Sequence, residues 1–180
     1  MNPSNINSFD EKFMKATFTL TNAAPQFQAS NSGPWRVFES KIANYAITGC
    51  DGTLYLLTGT SDYGLIKDAI TGKVIQDTTI PLPYTRSNFG SVTLVTPRAL
   101  WTAGCCVNEP YGTIGYSFQA IPPQSFAVMS NNQRVSNLLH QTEMSISDLE
   151  ILLTAPGTHR VNLFPGNPQC RDTAKGITLL

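Results

Sequence analysis

Two adjacent cysteines, Cys105 and Cys106, constrain the fold of this chain more than any other feature of its sequence. They lie in an apolar run that predicts a strand, and neighbouring residues on a strand point to opposite faces, so they rarely pair with each other. The natural scheme is two disulfides, in which one of the pair bonds to Cys50 and the other to Cys170. The sequence leaves open which bonds to which. The alternative is four buried free thiols in a cytosolic protein.

The composition is that of one globular domain built from short elements. The chain has 180 residues, of which 41% are hydrophobic and only 13% are charged. Twelve basic and twelve acidic residues give a formal net charge of zero, which excludes a strongly basic nucleic-acid carrier of the histone type. The 13 glycines and 12 prolines are spread along the chain and favour many strands joined by turns over a helical bundle.

Helical spacing of apolar residues predicts an amphipathic helix from Pro34 onward, with Asn31 or Ser32 as its N-cap. A second, short helix is predicted over 144–153, capped by Ser145 or Ser147. The apolar stripe of the first helix consists of Trp35, Phe38, Ile42 and Tyr45.

Alternating and β-branched patterns predict five strands. Between the second and third of them, residues 61–79 are expected to form a loop or an irregular hairpin. The strand over 53–59 is expected to be buried and to end at its glycine. The predicted strands are residues 16–20, 53–59, 100–107, 114–120 and 125–129.

The sequence does not indicate a zinc site, a membrane-spanning helix or a signal peptide. There is no Cys-x-x-Cys pair, and His140 and His159 lie far along the chain from the paired cysteines, so a zinc site is not predicted. No stretch approaches the roughly 20 apolar residues of a membrane-spanning helix. The N-terminus has no signal-peptide pattern, which leaves either a cytosolic protein or a start that is not the natural one.

Residues 22–39 concentrate oxygen-donor chemistry. If Asn31 lies at the start of the predicted helix, Asn31 and Glu39 are just over two turns apart and project from roughly one face. An amide oxygen and a carboxylate are hard ligands that suit Mg²⁺ or Mn²⁺ held largely through waters. The alternative is that Asn22 and Asn31 are turn and cap residues and Glu39 is a solvated helix position.

This stretch resembles the core signature of the DNA/RNA non-specific endonucleases. The resemblance rests on Thr-Asn-Ala-Ala-Pro-Gln at 21–26, followed at fixed spacing by Asn31, Trp35 and Glu39. Residues 18–26, 54–60 and 101–106 are similar to the animal endonuclease domain-containing 1 group. The resemblance implies an α+β fold with a ββα-metal (His-Me finger) core on a mainly antiparallel sheet with a few helices. It implies one such domain over 1–180.

The resemblance also assigns roles to individual residues. Asn31 matches the single direct protein ligand of Mg²⁺, and Glu39 matches the acid that holds a metal-bound water. Asn22 matches an active-site asparagine near the scissile phosphate. Trp35 matches a packing position on the helix. The cysteines would be disulfide-bonded in a secreted or lumenal domain: Cys50, Cys105, Cys106 and Cys170.

One motif of the family is missing from these 180 residues. The general base in the family is the histidine of an Asp-Arg-Gly-His motif, and a proline that follows it by three residues matches Pro3. We therefore expect that motif immediately before Met1. His140 and His159 lack the sequence context to replace it. The loss of a general base costs on the order of 10²–10⁴ in rate, so the chain is expected to be impaired.

The activity that the resemblance implies is metal-dependent hydrolysis of DNA and RNA without sequence or sugar preference. Such enzymes contact phosphates, so their binding should depend strongly on salt. No membrane partner is expected, and the oligomeric state is open. Two alternatives remain: a degenerate nuclease fold that binds nucleic acid or protein, and a disulfide-stapled extracellular structural domain. Asn22, Asn31 and Glu39 occurring together favour the enzyme over the structural domain, whereas the residues upstream of Met1 would separate the enzyme from the binding module.

Overall fold

The computed structural model describes residues 24–77, 85–89, 91–108, 124–154, 157–172 and 179. The described elements are helices and a mainly antiparallel four-stranded sheet, which confirms the predicted α+β class. The chain divides into two compact units. The first contains residues 1–37, 60–100 and 131–140, and the second contains residues 38–59, 101–130 and 141–180. The prediction of a single domain over 1–180 stays a prediction.

In the described residues, two helices come first and most of the elements that follow are strands. The helices are α1 (Gln28–Ser32), α2 (Pro34–Thr48), α3 (Ile146–Leu153) and α4 (Gln169–Asp172), and residues Ser136–Leu138 form a 3₁₀ turn. The strands are β1 (Gly52–Ser61), β2 (Gly64–Lys67), β3 (Val74–Asp77), β4 (Thr85–Phe89), β5 (Val92–Thr96), β6 (Ala99–Asn108), β7 (Gln124–Asn131) and β8 (Gln141–Met144). None of the helices in the described residues is long and apolar enough to cross a membrane.

The first unit contains two antiparallel hairpins. Strands β2 and β3 pair with Gly64 opposite Asp77, and β4 and β5 pair with Phe89 opposite Val92. The turn between β2 and β3 is closed by the carboxylate of Asp68, whose Oδ1 accepts the backbone N–H of Ile70 at 3.0 Å. The backbone N–H and the hydroxyl of Thr71 also donate to this carboxylate, and these two hydrogen bonds, followed by that from Ile70, lower the pKa of Asp68. The hairpin confirms one of the two structures expected for residues 61–79.

The second unit is organised around a sheet with strand order β1-β6-β7-β8. Strands β6 and β7 are buried on both faces. Their side chains point alternately to the two faces of the sheet, and other residues pack against each face. Ala103 and Ala127 pack with Ile146 and Leu149 of α3 on one face. On the other face, the ring of Phe126 meets the Phe38 ring of α2 edge-on, with centroids 6.3 Å apart.

This alternation also explains the two disulfides. Cys105 faces the α3 side and is bonded to Cys170, whereas Cys106 is bonded to Cys50, which follows α2. The predicted scheme is confirmed, and the structure supplies the choice that the sequence left open. No free cysteine remains in the chain. The bond to Cys170 thereby ties α4 to strand β6.

Replacing Cys50 with serine is expected to release one reactive thiol, that of Cys106, and to lower stability. The disulfide closes a loop with a sequence separation of 56 residues, and in the chain-entropy model such a cross-link stabilises by about 4 kcal/mol. Alkylation of the denatured variant followed by peptide mapping locates the thiol, and urea unfolding measures the loss of stability. A free thiol at Cys105 or Cys170, with Cys106 in the remaining disulfide, would contradict the assignment.

The helix predictions succeed where a local signal exists. Helix α2 begins at Pro34, and Trp35, Phe38 and Ile42 are buried as the stripe predicts. Helix α3 is capped by Ser145, whose hydroxyl accepts the backbone N–H of Asp148 at 3.0 Å. The predicted N-caps of α2 were wrong, because Asn31 and Ser32 both lie inside α1.

The strand predictions differ in outcome. Strands β6 and β7 confirm those over 100–107 and 125–129, but the prediction of a buried strand ended by glycine was wrong for β1. That strand lies at the end of the four-stranded order, and its Tyr55 side chain is 54% exposed. Gly59 lies within it, beneath the Trp101 ring, which occupies the space of a Cβ atom. The strands predicted over 16–20 and 114–120 lie outside the described residues.

Candidate active site

The short helix α1 carries the first of the predicted site residues that the structure describes. The Asn31 backbone N–H donates to the Phe27 carbonyl at 3.0 Å, which fixes the residue in the last turn of α1. Its side chain is exposed and has no hydrogen-bond partner among the described residues. An exposed amide oxygen of this kind can bind a cation without giving up an internal hydrogen bond.

Gly33 separates α1 from α2, and the close approach of the two turns requires a glycine. A Cβ atom at Gly33 would lie 2.6 Å from the carbonyl oxygen of Ala29, which is too close for any other residue without a backbone shift. The helix is therefore interrupted between Asn31 and Glu39. The expectation that their spacing places them on one face of a single helix was wrong, because it assumed continuous helical geometry across Gly33.

The remaining predicted site residues have different positions. Glu39 lies on α2, is half-buried, and takes part in an interaction with another group. Trp35, the predicted packing residue, is 1% exposed. Asn22 lies outside the described residues.

The residues that hold α1 were not predicted from the sequence. The hydroxyl of Ser30, which is buried, donates to the Asn131 carbonyl at 3.2 Å and accepts the Gln133 backbone N–H at 3.1 Å. The Phe27 backbone N–H donates to the Asn132 side-chain oxygen at 3.0 Å. Two consecutive asparagines after a strand are typical of a turn, so no sequence signal distinguishes them from solvent-exposed turn residues.

A positive charge lies against the residue that precedes α1. The guanidinium carbon of Arg134 lies 4.9 Å from the centroid of the Phe27 ring, a cation–π geometry worth about 0.5–1 kcal/mol at an exposed site. Arg134 itself is exposed. The contact adds a further tether between residues 131–134 and the segment that carries Asn31.

The donor chemistry around Asn31 suits a hard divalent cation. The described residues contain no group of three or more His, Cys, Asp or Glu side chains that could hold a metal ion. A cation bound through one amide oxygen and held otherwise by water does not need such a group, and Mg²⁺ characteristically keeps several waters. Asn31 therefore fits the role of a single protein ligand.

The family model of the DNA/RNA non-specific endonucleases matches residues 1–150. The chain belongs to the DNA/RNA non-specific endonuclease family. Among curated proteins, no relative matches the chain. The resemblance noted from residues 21–39 is thereby shown, and it extends through Asn131 and Asn132 to the end of the matched span.

Membership in the endonuclease family gives the chain its substrate class. The family acts on DNA and RNA, so by resemblance the chain is a nucleic-acid hydrolase. Members generally depend on a divalent metal ion. Residues beyond 150, including Cys170 and Arg171, lie outside the span matched by the family model. They belong to the second unit.

Proposed function

We propose that this nuclease domain hydrolyses phosphodiester bonds of DNA and RNA without sequence or sugar preference, using Mg²⁺ or Mn²⁺ bound through Asn31. The observation that carries the proposal is the exposed amide of Asn31, which makes no side-chain hydrogen bond among the described residues. It lies on a segment held by buried hydrogen bonds, within a chain region that matches the endonuclease family. The family resemblance also assigns roles to Asn22 and Glu39.

Each residue has a role that its chemistry allows. The side-chain oxygen of Asn31 would supply a hard ligand, and by the resemblance the Glu39 carboxylate would hold a water of the hydrated cation. Asn22 would match the family's asparagine beside the scissile phosphate. The cation, when bound, stabilises the negative charge that develops on the phosphate and the leaving oxygen. These contacts involve phosphates rather than bases, which accounts for non-specific cleavage.

The proton of the attacking water needs an acceptor that the 180 residues do not supply through an Asp-Arg-Gly-His motif. We therefore propose that the chain of these 180 residues alone is feeble as a nuclease. The second candidate function is a nuclease fold that binds nucleic acid or protein without cutting it. A secreted or lumenal location is part of the proposal, and the two disulfides support it because such bonds persist in oxidising compartments.

Restoring the motif is expected to raise activity. Nicking of plasmid DNA and cleavage of RNA should be compared for the 180-residue chain and for a chain in which Asp-Arg-Gly-His and a preceding strand are placed before Met1. The extended chain should be about 10²–10⁴-fold faster in Mg²⁺, and EDTA should abolish the difference.

The control is the same extension with glutamine in place of its histidine, which keeps the added length but removes the base. Equal activity of the histidine and glutamine extensions would contradict the role of the base. No cleavage by either extended chain, together with retained binding to DNA, would favour the binding module.

A further inference from the structure

Asn132 is a buried residue whose side chain uses its full set of amide hydrogen-bonding groups. It is 4% exposed. Its Oδ1 accepts the Phe27 backbone N–H at 3.0 Å, and its Nδ2 donates to the carbonyls of Pro25 at 3.1 Å and Pro97 at 2.9 Å. The Asn132 backbone N–H donates to the Arg98 carbonyl at 2.6 Å. One side chain thus joins the segment that leads into α1 to the segment that leads into β6.

Asn131 holds the neighbouring parts of the same unit. It is 2% exposed, and its Oδ1 accepts the His140 backbone N–H at 2.6 Å. Its Nδ2 donates to the carbonyls of Leu65 at 3.1 Å and Leu138 at 2.8 Å. Because the Asn131 carbonyl also accepts the hydroxyl of Ser30, the residue immediately before Asn31 is tied to this network.

Only an amide side chain satisfies the hydrogen-bonding groups that surround position 132. The side chain must present one acceptor and two donors, and both donors face carbonyl oxygens. An aspartate has the same shape but no donor, so it would place a carboxylate oxygen against the Pro25 and Pro97 carbonyls. Each buried polar group left unsatisfied costs about 1–3 kcal/mol.

We propose that Asn132 is a positioning residue for the metal ligand Asn31. The inference rests on the proposed function, in which Asn31 is the only direct protein ligand. With a single direct ligand, the position of the cation depends strongly on the orientation of α1, which carries that ligand. Asn132 supplies that orientation before the metal arrives, by fixing the backbone at residues 25–27 from which α1 starts.

The test uses the 180-residue chain with two readouts that do not depend on catalysis. The first is amide hydrogen exchange of residues 24–33 in the metal-free protein. The second is Mn²⁺ affinity measured by electron paramagnetic resonance titration. Asn132→Asp is expected to speed exchange at the Phe27 and Asn31 amides and to weaken Mn²⁺ binding about 10–100-fold, the usual range for residues that orient metal ligands.

Two controls separate positioning from general effects. Asn137→Asp makes the same substitution at an exposed asparagine of the 3₁₀ turn, and it should change neither readout. Cys50→Ser lowers stability in the second unit and should leave Mn²⁺ affinity unchanged. If Asn132→Asp does not fold, Ser30→Ala removes the hydroxyl tether instead and should weaken Mn²⁺ binding by a smaller factor, about 3–10-fold.

The outcomes distinguish the inference from the function on which it rests. If Asn31→Ala binds Mn²⁺ as tightly as the unaltered chain, the ligand assignment fails and the inference falls with it. If Asn31→Ala loses Mn²⁺ binding but Asn132→Asp does not, the inference alone is overturned. A loss of affinity without faster exchange, or faster exchange without a loss of affinity, overturns it too, because positioning requires both.

Discussion

Replacing Asn31 with alanine in the extended chain is expected to reduce Mg²⁺-dependent nicking by roughly 10²-fold or more. The residue supplies the proposed direct protein contact with the cation, and charge stabilisation by a catalytic metal is worth several kcal/mol. The substitution removes no side-chain hydrogen bond among the described residues, and alanine is the best helix former, so α1 should persist. Plasmid nicking at increasing Mg²⁺ concentrations measures the loss.

The matched control for this substitution is Asn44→Ala on α2. Asn44 is also an exposed helical asparagine, and its backbone carbonyl accepts the hydroxyl of Thr48. The Asn44→Ala variant should nick plasmid DNA at the same rate as the unaltered extended chain. If Asn31→Ala nicks as fast as Asn44→Ala and binds Mn²⁺ equally well, Asn31 is not the metal ligand.

The second large effect is expected for stability rather than for activity, at a buried carboxylate of α3. Glu150 is 0% exposed, and its Oε2 lies 2.6 Å from the Nε of Arg171 in an ion pair. Its other oxygen accepts the Leu163 backbone N–H at 3.0 Å. Arg171→Met would leave this buried charge without its close partner, so we expect a loss of about 3–5 kcal/mol in the free energy of unfolding.

Urea unfolding of Arg171→Met measures that loss, and Arg160→Met is its control. The Arg160 Nε lies 4.0 Å from the same carboxylate, but its side chain is 52% exposed, so its removal should cost less than about 1 kcal/mol. A double variant, Glu150→Leu with Arg171→Met, should regain most of the lost stability because no charge is left buried. Equal losses for Arg160→Met and Arg171→Met would contradict this account.

The success of the sequence-based predictions follows the range of the interactions involved. Helix α3 was predicted because its cap and first-turn acid lie within four residues of each other. The pairing of Cys50 and Cys170 with the adjacent cysteines followed from the alternation of side chains along one strand. The α1 helix was missed because five residues give little periodic signal, and its ends depend on the carbonyl of Ala29 approaching Gly33.

The candidate site shows the same difference between short-range and long-range interactions. The identity of Asn31 as a candidate ligand came from a motif within a few tens of residues of sequence. The support for that residue comes from Asn131 and Asn132, about 100 positions away, and nothing local marks them as different from turn asparagines. The spacing argument that joined Asn31 to Glu39 failed because it treated two helices as one.

By itself, the sequence determined the family and, through that resemblance, the α+β class. It also determined the amphipathic helix α2 and the disulfide scheme, since these depend on residue type and short-range periodicity. The tertiary structure alone decided that Cys105 bonds to Cys170, that α1 is separate from α2, and that buried asparagine amides hold the segment carrying Asn31. Those outcomes depend on which distant backbone carbonyls and N–H groups come within hydrogen-bonding distance, and chain folding rather than local pattern sets that proximity.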